Sequence, residues 1–240
     1  MPRYNRVVVK LSGEALAGPA GSGVDPVSLG QIADEVLAVH ALGVQVAVVV
    51  GGGNYFRGRM ADGWGISRAE ADNIGMLGTV MNGLMLRGAL TARTDTDVRV
   101  MTAIPMQSVA EPFIRLRAVR HLDQGRIVVL AGGIGQPYVT TDYPAVQRAL
   151  ELDADALLVA KRGVDGVYDS DPHENPDAVR YSELTYDEAL DARVRVMDTS
   201  AFVLANEQAL TMHVFDVAAV GVMRQICEGA ELGTRISAKA

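Results

Sequence analysis

Lysine occurs only three times in the 240 residues, and two of the three, Lys10 and Lys161, close apolar runs that pass directly into loops. An ammonium at the end of a buried strand is a compact point charge, and beside glycines the backbone N–H groups complete a cradle for phosphate. Lys10 ends Arg6-Val7-Val8-Val9 and leads into Leu11-Ser12-Gly13-Glu14. A second run, Val46-Ala47-Val48-Val49-Val50, opens into Gly51-Gly52-Gly53-Asn54-Tyr55-Phe56-Arg57-Gly58. Two strand ends, each with a glycine loop and one cation, point to a phosphorylated ligand. Taken singly, each loop also fits an ordinary surface turn.

A third loop, from Ala131 to Asp142, combines Gly132, Gly133 and Gly135 with the hydroxyls of Thr140 and Thr141 and a carboxylate that can cap the following helix. Phosphoryl transfer between two phosphorylated partners needs cations, N–H donors and an in-line geometry, but little covalent chemistry. Lys10, Arg57, the glycine loops and a bound Mg²⁺ supply this without a general base, because an acceptor phosphate is already ionised at neutral pH. Tyr168 and Asp171 suit base and ribose contacts, although Asp171 equally suits a plain turn. Two familiar nucleotide loops are missing. There is no G-x-x-x-x-G-K-[ST], and neither glycine loop satisfies G-x-G-x-x-G, which excludes a P-loop enzyme and argues against a dinucleotide dehydrogenase.

The elements that must position these residues are short valine-rich runs at 7–9, 46–50, 127–131 and 156–160, with a weaker one at 98–101. Continuous apolar runs separated by helical periodicity predict an α/β fold in which an open, mainly parallel sheet lies between helices. Asp25 and Pro26 start the first long helix and Gly43 follows it. A longer helix is expected from Arg68 to Ala92, with Gly75, Gly78, Gly83 and Gly88 placed for close packing within the chain or against another subunit. After the fifth main strand, Asp165-Gly166 suggests a hairpin or a loop. Further helices are expected near 186–191, 199–208 and 217–228, with strands at 212–215 and after Gly233.

Composition bounds the possibilities. The chain is 49% hydrophobic and 5% aromatic, with a net charge of −7 and a pI near 5.1, so it carries no general basic footprint for a nucleic-acid polymer. One cysteine, Cys227, excludes an internal disulfide, and its helical setting suggests a buried inert thiol. His40, His121, His173 and His213 have no metal-ligand spacing. No signal-like or membrane-spanning run is present, which leads us to expect one cytoplasmic domain over residues 1–240 with no membrane partner.

The residues then become recognisable. Val9-Lys10-Leu11-Ser12-Gly13-Glu14-Ala15-Leu16, Gly51 to Gly58, Ala71-Asp72-Asn73-Ile74-Gly75-Met76-Leu77, Thr79-Val80-Met81-Asn82-Gly83-Leu84, Pro137 to Asp142, Val164 to Tyr168, Asp171-Pro172 and Val196-Met197-Asp198 occur in one order from Arg6 to about Ser237. In this the chain resembles the bacterial-type uridylate kinases of the amino acid kinase family. The resemblance implies a three-layer fold, ATP- and Mg²⁺-dependent conversion of UMP to UDP in the pyrimidine route to UTP and CTP, and a homohexamer. It also implies possible activation by GTP and inhibition by UTP, the former linked to the region matching Gly18–Gly23, whose small residues here weaken that expectation.

Carried over residue by residue, the resemblance puts Lys10, Leu11, Ser12 and Gly13 at the ATP phosphates, with Gly53 and Arg57 beside the transferring group. Arg162, Tyr168 and Asp171 fall at the ATP nucleoside. Gly52, Asp72 and the run Ile134, Gly135, Gln136, Pro137, Tyr138, Val139, Thr140 and Thr141 are assigned to UMP. Asp142 and Asp198 match carboxylates near the phosphates, and Lys10, Arg57, Asp142 and Asp198 form the implied catalytic set. Many relatives read Gly-Thr-Gly-Asn-Pro where this chain has Gly133-Ile134-Gly135-Gln136-Pro137, so backbone groups or Gln136 must read the base. The strand end before Gly163 is one residue longer than in some relatives, which leaves Lys161 and Arg162 open to two alignments. Two other readings of the same fold are an acyl or carbamate kinase and a non-catalytic anion-storage or regulatory module; Asp72 and the Gly135-Gln136-Pro137 loop weigh against the first, and the presence of both Lys10 and Arg57 against the second.

Overall fold

The computed structural model describes residues 1–172, 174–194 and 196–238, so His173, Arg195, Lys239 and Ala240 lie outside the described residues. In chain order the elements are β1 (Arg6–Leu11), α1 (Gly13–Ala17), α2 (Pro26–His40), β2 (Gln45–Val50), α3 (Arg68–Thr91), β3 (Val98–Thr102), β4 (Glu111–Pro112), α4 (Arg115–Asp123), β5 (Ile127–Ala131), α5 (Asp142–Glu151), β6 (Ala156–Lys161), β7 (Val167–Tyr168), β8 (Arg180–Tyr181), β9 (Glu183–Thr185), α6 (Tyr186–Asp191), α7 (Thr199–Glu207), β10 (Thr211–Asp216), α8 (Val222–Cys227) and β11 (Thr234–Ser237). Nine strands form one sheet in the order β4-β3-β5-β2-β1-β6-β10-β11-β9, in which only the β10–β11 pair is antiparallel.

Both faces of the central strands are buried, which is why they read as unbroken valine runs and not as alternating patterns. Val7, Val9 and Leu11 of β1 pack with α1, α2, α3 and α8, while Val8 packs with α4, α5, α6 and α7. Each such valine, fully removed from water, contributes roughly 1.5–3 kcal/mol. By this alternation Lys10 points to the Val8 side, the side that α5 covers. The register pairs Lys10 with Val159 of β6, and Lys161 stands one pleat further along that strand on the same face.

Helix starts follow the local chemistry. Asp25 accepts the N–H of Ser28 at 2.8 Å ahead of Pro26, and Ser67 accepts that of Glu70 at 3.3 Å to begin α3. Four expectations need correction. Asp142 is the first residue of α5 and not its cap, because its carboxylate is taken by Lys10 and by the backbone of Asp198. Ser12-Gly13 is not an open loop, since the Ser12 hydroxyl caps the short α1. The hairpin reading of Asp165-Gly166 gives way to its alternative, a loop, since β7 pairs antiparallel with β8 across residues 169–179. The expected helix over 217–228 starts only at Val222, after Gly221 at φ 78°.

Candidate functional site

Along the middle of the sheet the strands run β5, β2, β1, β6, all parallel, so the loops that follow them stand side by side at one edge. From β1 the chain turns one way to β2 and later the other way to β6, which makes this edge the switch point at which open α/β sheets bind ligands. Two cavities open there. The larger, about 620 Å³, is lined by residues that include Ser12, Glu14, Lys161, Arg162, Tyr168 and Asp171. The smaller, about 260 Å³, is lined by Gly52, Gly53, Phe56, Arg57, Asp72 and the loop after β5, among others.

The loops reach their positions through close backbone contact. A Cβ on Gly13 would fall 2.7 Å from the Gly53 nitrogen, and one on Gly52 would fall 2.3 Å from the Gly75 carbonyl oxygen. Only glycine lets the loop after β2 lie between α1 and α3. The loop after β5 turns through Gly132, Gly133 and Gly135, all at positive φ, and the N–H of Gly132 donates to Thr79 Oγ1 at 2.7 Å. Tyr138 also sits at φ 68°, and its N–H donates to Asp72 Oδ2 at 2.7 Å, which ties this loop to α3.

Between the cavities lies a charged cluster. Lys10 Nζ stands 2.7 Å from Asp142 Oδ1, with both side chains largely buried. Asp142 Oδ2 accepts the N–H of Asp198 at 3.1 Å, and Asp198 Oδ2 accepts the Thr140 hydroxyl at 2.5 Å. Burial first, and the Lys10 charge second, lower Lys161 to about 8 against the ordinary lysine value of 10.5; Asp142, Glu14 and Asp198 partly oppose this. With its pKa lowered to about 8 Lys161 is still protonated at neutral pH, and beside a second cation and a cavity it is poised to take an anion.

The assigned residues therefore divide unevenly. Ser12, Arg162, Tyr168 and Asp171 line the larger cavity, whereas Gly53 and Arg57 line the smaller one. Lys10, Asp142 and Asp198 occupy the cluster that joins the two. The Leu11 side chain is buried in the core and Leu11 lines neither cavity, and Gly13 serves the packing of the loop after β2. Gly52, Asp72, Ile134, Gln136, Val139, Thr140 and Thr141 line the smaller cavity, while Gly135, Pro137 and Tyr138 do not, and the Tyr138 side chain is exposed. Tyr168 donates its hydroxyl to Asp165 at 2.6 Å, which raises its pKa.

Register also separates Lys161 from Arg162: Lys161 shares the face of Lys10, and Arg162 Nη1 donates to Ser28 Oγ of α2 at 3.1 Å. Sequence reasoning gave no site role to Glu14, which pairs with Arg57, or to Arg68, whose Nε lies 2.8 Å from Asp72 Oδ1. The four-residue spacing of Arg68 and Asp72 on one helix was a usable signal. Glu14 lies on α1 and Arg57 in the segment after β2, and their separation in the chain left none.

Residues 5–216 match the family model described as the amino acid kinase family. The uridylate kinase of Frankia alni is 60% identical over 236 residues, covering 98% of this chain and 92% of its own length. That of Frankia casuarinae is 60% identical over 237 residues, covering 99% and 92%. Among solved structures, UMP kinase from Bacillus anthracis superposes with a TM-score of 0.96 at 54% identity, covering 99% of this chain and 97% of its own. UMP kinase from Ureaplasma parvum does so at 0.91 and 32%, covering 98% and 99%. With a site of two joined cavities at the switch point of the sheet and full-length likeness of this degree, the chain belongs to the amino acid kinase family and, within it, to the uridylate kinases.

Proposed function

We propose that this chain, acting as one amino acid kinase-like domain over residues 1–240, transfers the γ-phosphoryl group of ATP to UMP, giving ADP and UDP for pyrimidine nucleotide synthesis. The observation that carries the reading is the continuous line from Lys161 through Lys10, Asp142 and Asp198 to Thr140, which joins the larger cavity to the smaller. ATP would occupy the larger, with its nucleoside against Arg162, Tyr168 and Asp171. UMP would occupy the smaller, with Asp72 at the sugar and the 134–141 loop around the base.

In this arrangement Lys10 and Lys161 face the phosphates from adjacent strands and oppose the charge that spreads over the transferring group. Arg57, steadied by Glu14 and by the Gly53 carbonyl at 3.3 Å, would hold the acceptor phosphate in line. No general base is needed, since the attacking oxygen already belongs to an ionised phosphate. Among the described residues no group of three or more His, Cys, Asp or Glu side chains forms an all-protein metal site. Asp142 and Asp198 instead fit an ion that arrives with the nucleotide, held by one or two carboxylates and by phosphate oxygens. Mg²⁺ would then neutralise phosphate charge when bound.

The reading includes self-association, as a homohexamer, through α3, where Ile74, Leu77, Met81 and Met85 form an apolar stripe that is between 37% and 46% exposed. No helix among the described residues is long and apolar enough to cross a membrane.

A coupled assay of ADP release with UMP, CMP, acetylglutamate or no acceptor tests the assignment. UMP should be turned over far faster than the others. Equal turnover of CMP would mean a general pyrimidine kinase, turnover of acetylglutamate an acyl kinase, and no turnover a non-catalytic module.

A further inference from the structure

The loop from Gly51 to Asn54 touches the smaller cavity only through Gly52 and Gly53, and neither Asn54 nor Asn82 lines either cavity. Yet both amides are almost wholly buried, Asn54 at 4% and Asn82 at 0% exposure. Asn82 Nδ2 donates to the Gly51 carbonyl at 2.6 Å and to Asn54 Oδ1 at 2.7 Å. Asn54 Nδ2 donates to the Gly23 carbonyl at 2.6 Å and to Asn82 Oδ1 at 3.1 Å, and the Gly23 N–H donates back to the Asn54 carbonyl at 3.0 Å. The amide orientations follow from the partners: two backbone carbonyls can only accept, so each must face an NH₂ group.

We infer that Asn82 is a positioning residue for phosphoryl transfer, acting through Asn54 and the Gly51 carbonyl to fix the height of Gly52 and Gly53 between the two substrates. This rests on the reading of that loop as the phosphate-facing one. The physical need is specific to an amide. A hydrocarbon at position 82 leaves the Gly51 carbonyl and Asn54 Oδ1 buried without donors, and a carboxylate adds a negative charge against those same two oxygens. The cost falls on the start of the loop, where the Gly51 carbonyl takes its bond from Asn82 and the Gly51 N–H donates to the Leu11 carbonyl at 2.8 Å. A shift of about 1 Å at a reacting centre costs on the order of 100-fold in rate.

The test is Asn82→Asp, assayed with ATP and UMP across pH 6 to 8 beside the wild type, with melting temperature and solution mass measured on both. At pH 8 the turnover number should fall roughly 10- to 100-fold while KM for UMP, whose assigned contacts lie mostly on Asp72 and the 134–141 loop with Gly52 the one on the displaced loop, changes about 3-fold or less. Lowering the pH should recover part of the loss, because the buried carboxyl, once protonated, donates one hydrogen bond again. A deficit that is the same at pH 6 and pH 8, or normal turnover in the folded variant, overturns the inference. Where the aspartate variant does not fold, Asn82→Ala carries the test: a lowered turnover number with KM for UMP preserved supports positioning, and wild-type turnover overturns it. Failure of the function reading is distinct, since the wild-type enzyme would then show no phosphorylation of UMP.

Discussion

At the scale of single residues, the two lysines differ in what surrounds them. Lys10 is matched by Asp142 at 2.7 Å, so its charge is compensated before any ligand arrives. Lys161 is not so closely matched, and burial with the Lys10 charge brings it to about 8. In the free enzyme it is protonated below that pH and neutral above it. The ratio kcat/KM for ATP, which reports the free enzyme, should therefore hold level up to about pH 8 and fall beyond it. Phosphate raises the pKa, so binding of ATP near pH 8.5 should take up a proton, measurable as a buffer-dependent enthalpy; a buffer-independent enthalpy would remove Lys161 from the phosphate site. The same depressed pKa acts on stability. Between about 8 and 10.5 the unfolded chain binds the proton that the folded chain has lost, so this group makes the fold more stable as pH rises through that window, and its cost is full below it.

At the scale of elements, α3 is the part on which both sides of the smaller cavity depend. Asn82 holds the loop after β2, Thr79 holds Gly132, and Asp72 holds Tyr138. Its four glycines divide by what they meet. Gly78 lies against Gly52 and Gly83 against Val100, Val129 and Ala131, whereas a Cβ at Gly75 or Gly88 meets nothing within 4 Å. Gly88→Ala should raise stability by about 0.5–1 kcal/mol, since alanine removes the cost of an interior helix glycine without a clash. For a chain of this length that is roughly 1–4 °C in Tm. Gly52→Ala should do the opposite, lowering Tm and turnover together, because its Cβ would press on the backbone of Gly75 and Thr79. Thermal melts of the two variants check both directions, and a neutral Gly52→Ala would show that the loop has room to shift.

At the scale of the whole molecule, the apolar stripe of α3 lies beside the helix positions that hold the loops of the smaller cavity, so self-association would bear on the candidate site through one rigid element. The solution mass at micromolar concentration should be about six times 25.5 kDa. Leu77→Glu, which puts a charge into the stripe, should shift the mass to smaller species; a wild-type mass near 25.5 kDa would refute the assembly. The acidic balance of the chain fits this division of surfaces. Lys10, Lys161, Arg57 and Arg162 stand at or between the two cavities, while the net charge of −7 leaves the chain as a whole unattractive to polyanions.

What the amino-acid sequence determined by itself was what is local. Valine runs set the strands, Asp25-Pro26 and Ser67 set two helix starts, and glycines after strand ends marked the ligand loops, because dihedral preference, capping and apolar burial act over a few neighbouring residues. Motif order carried the family and with it most of the candidate site. Tertiary structure alone decided the rest. The pairing of Lys10 with Asp142 instead of a helix cap, the common face of Lys10 and Lys161, the partnership of Glu14 with Arg57 and the Asn54–Asn82 lock each join segments far apart in the chain. Such contacts follow from strand order and register, which no local preference encodes, and they are what turn four separate strand ends into one site.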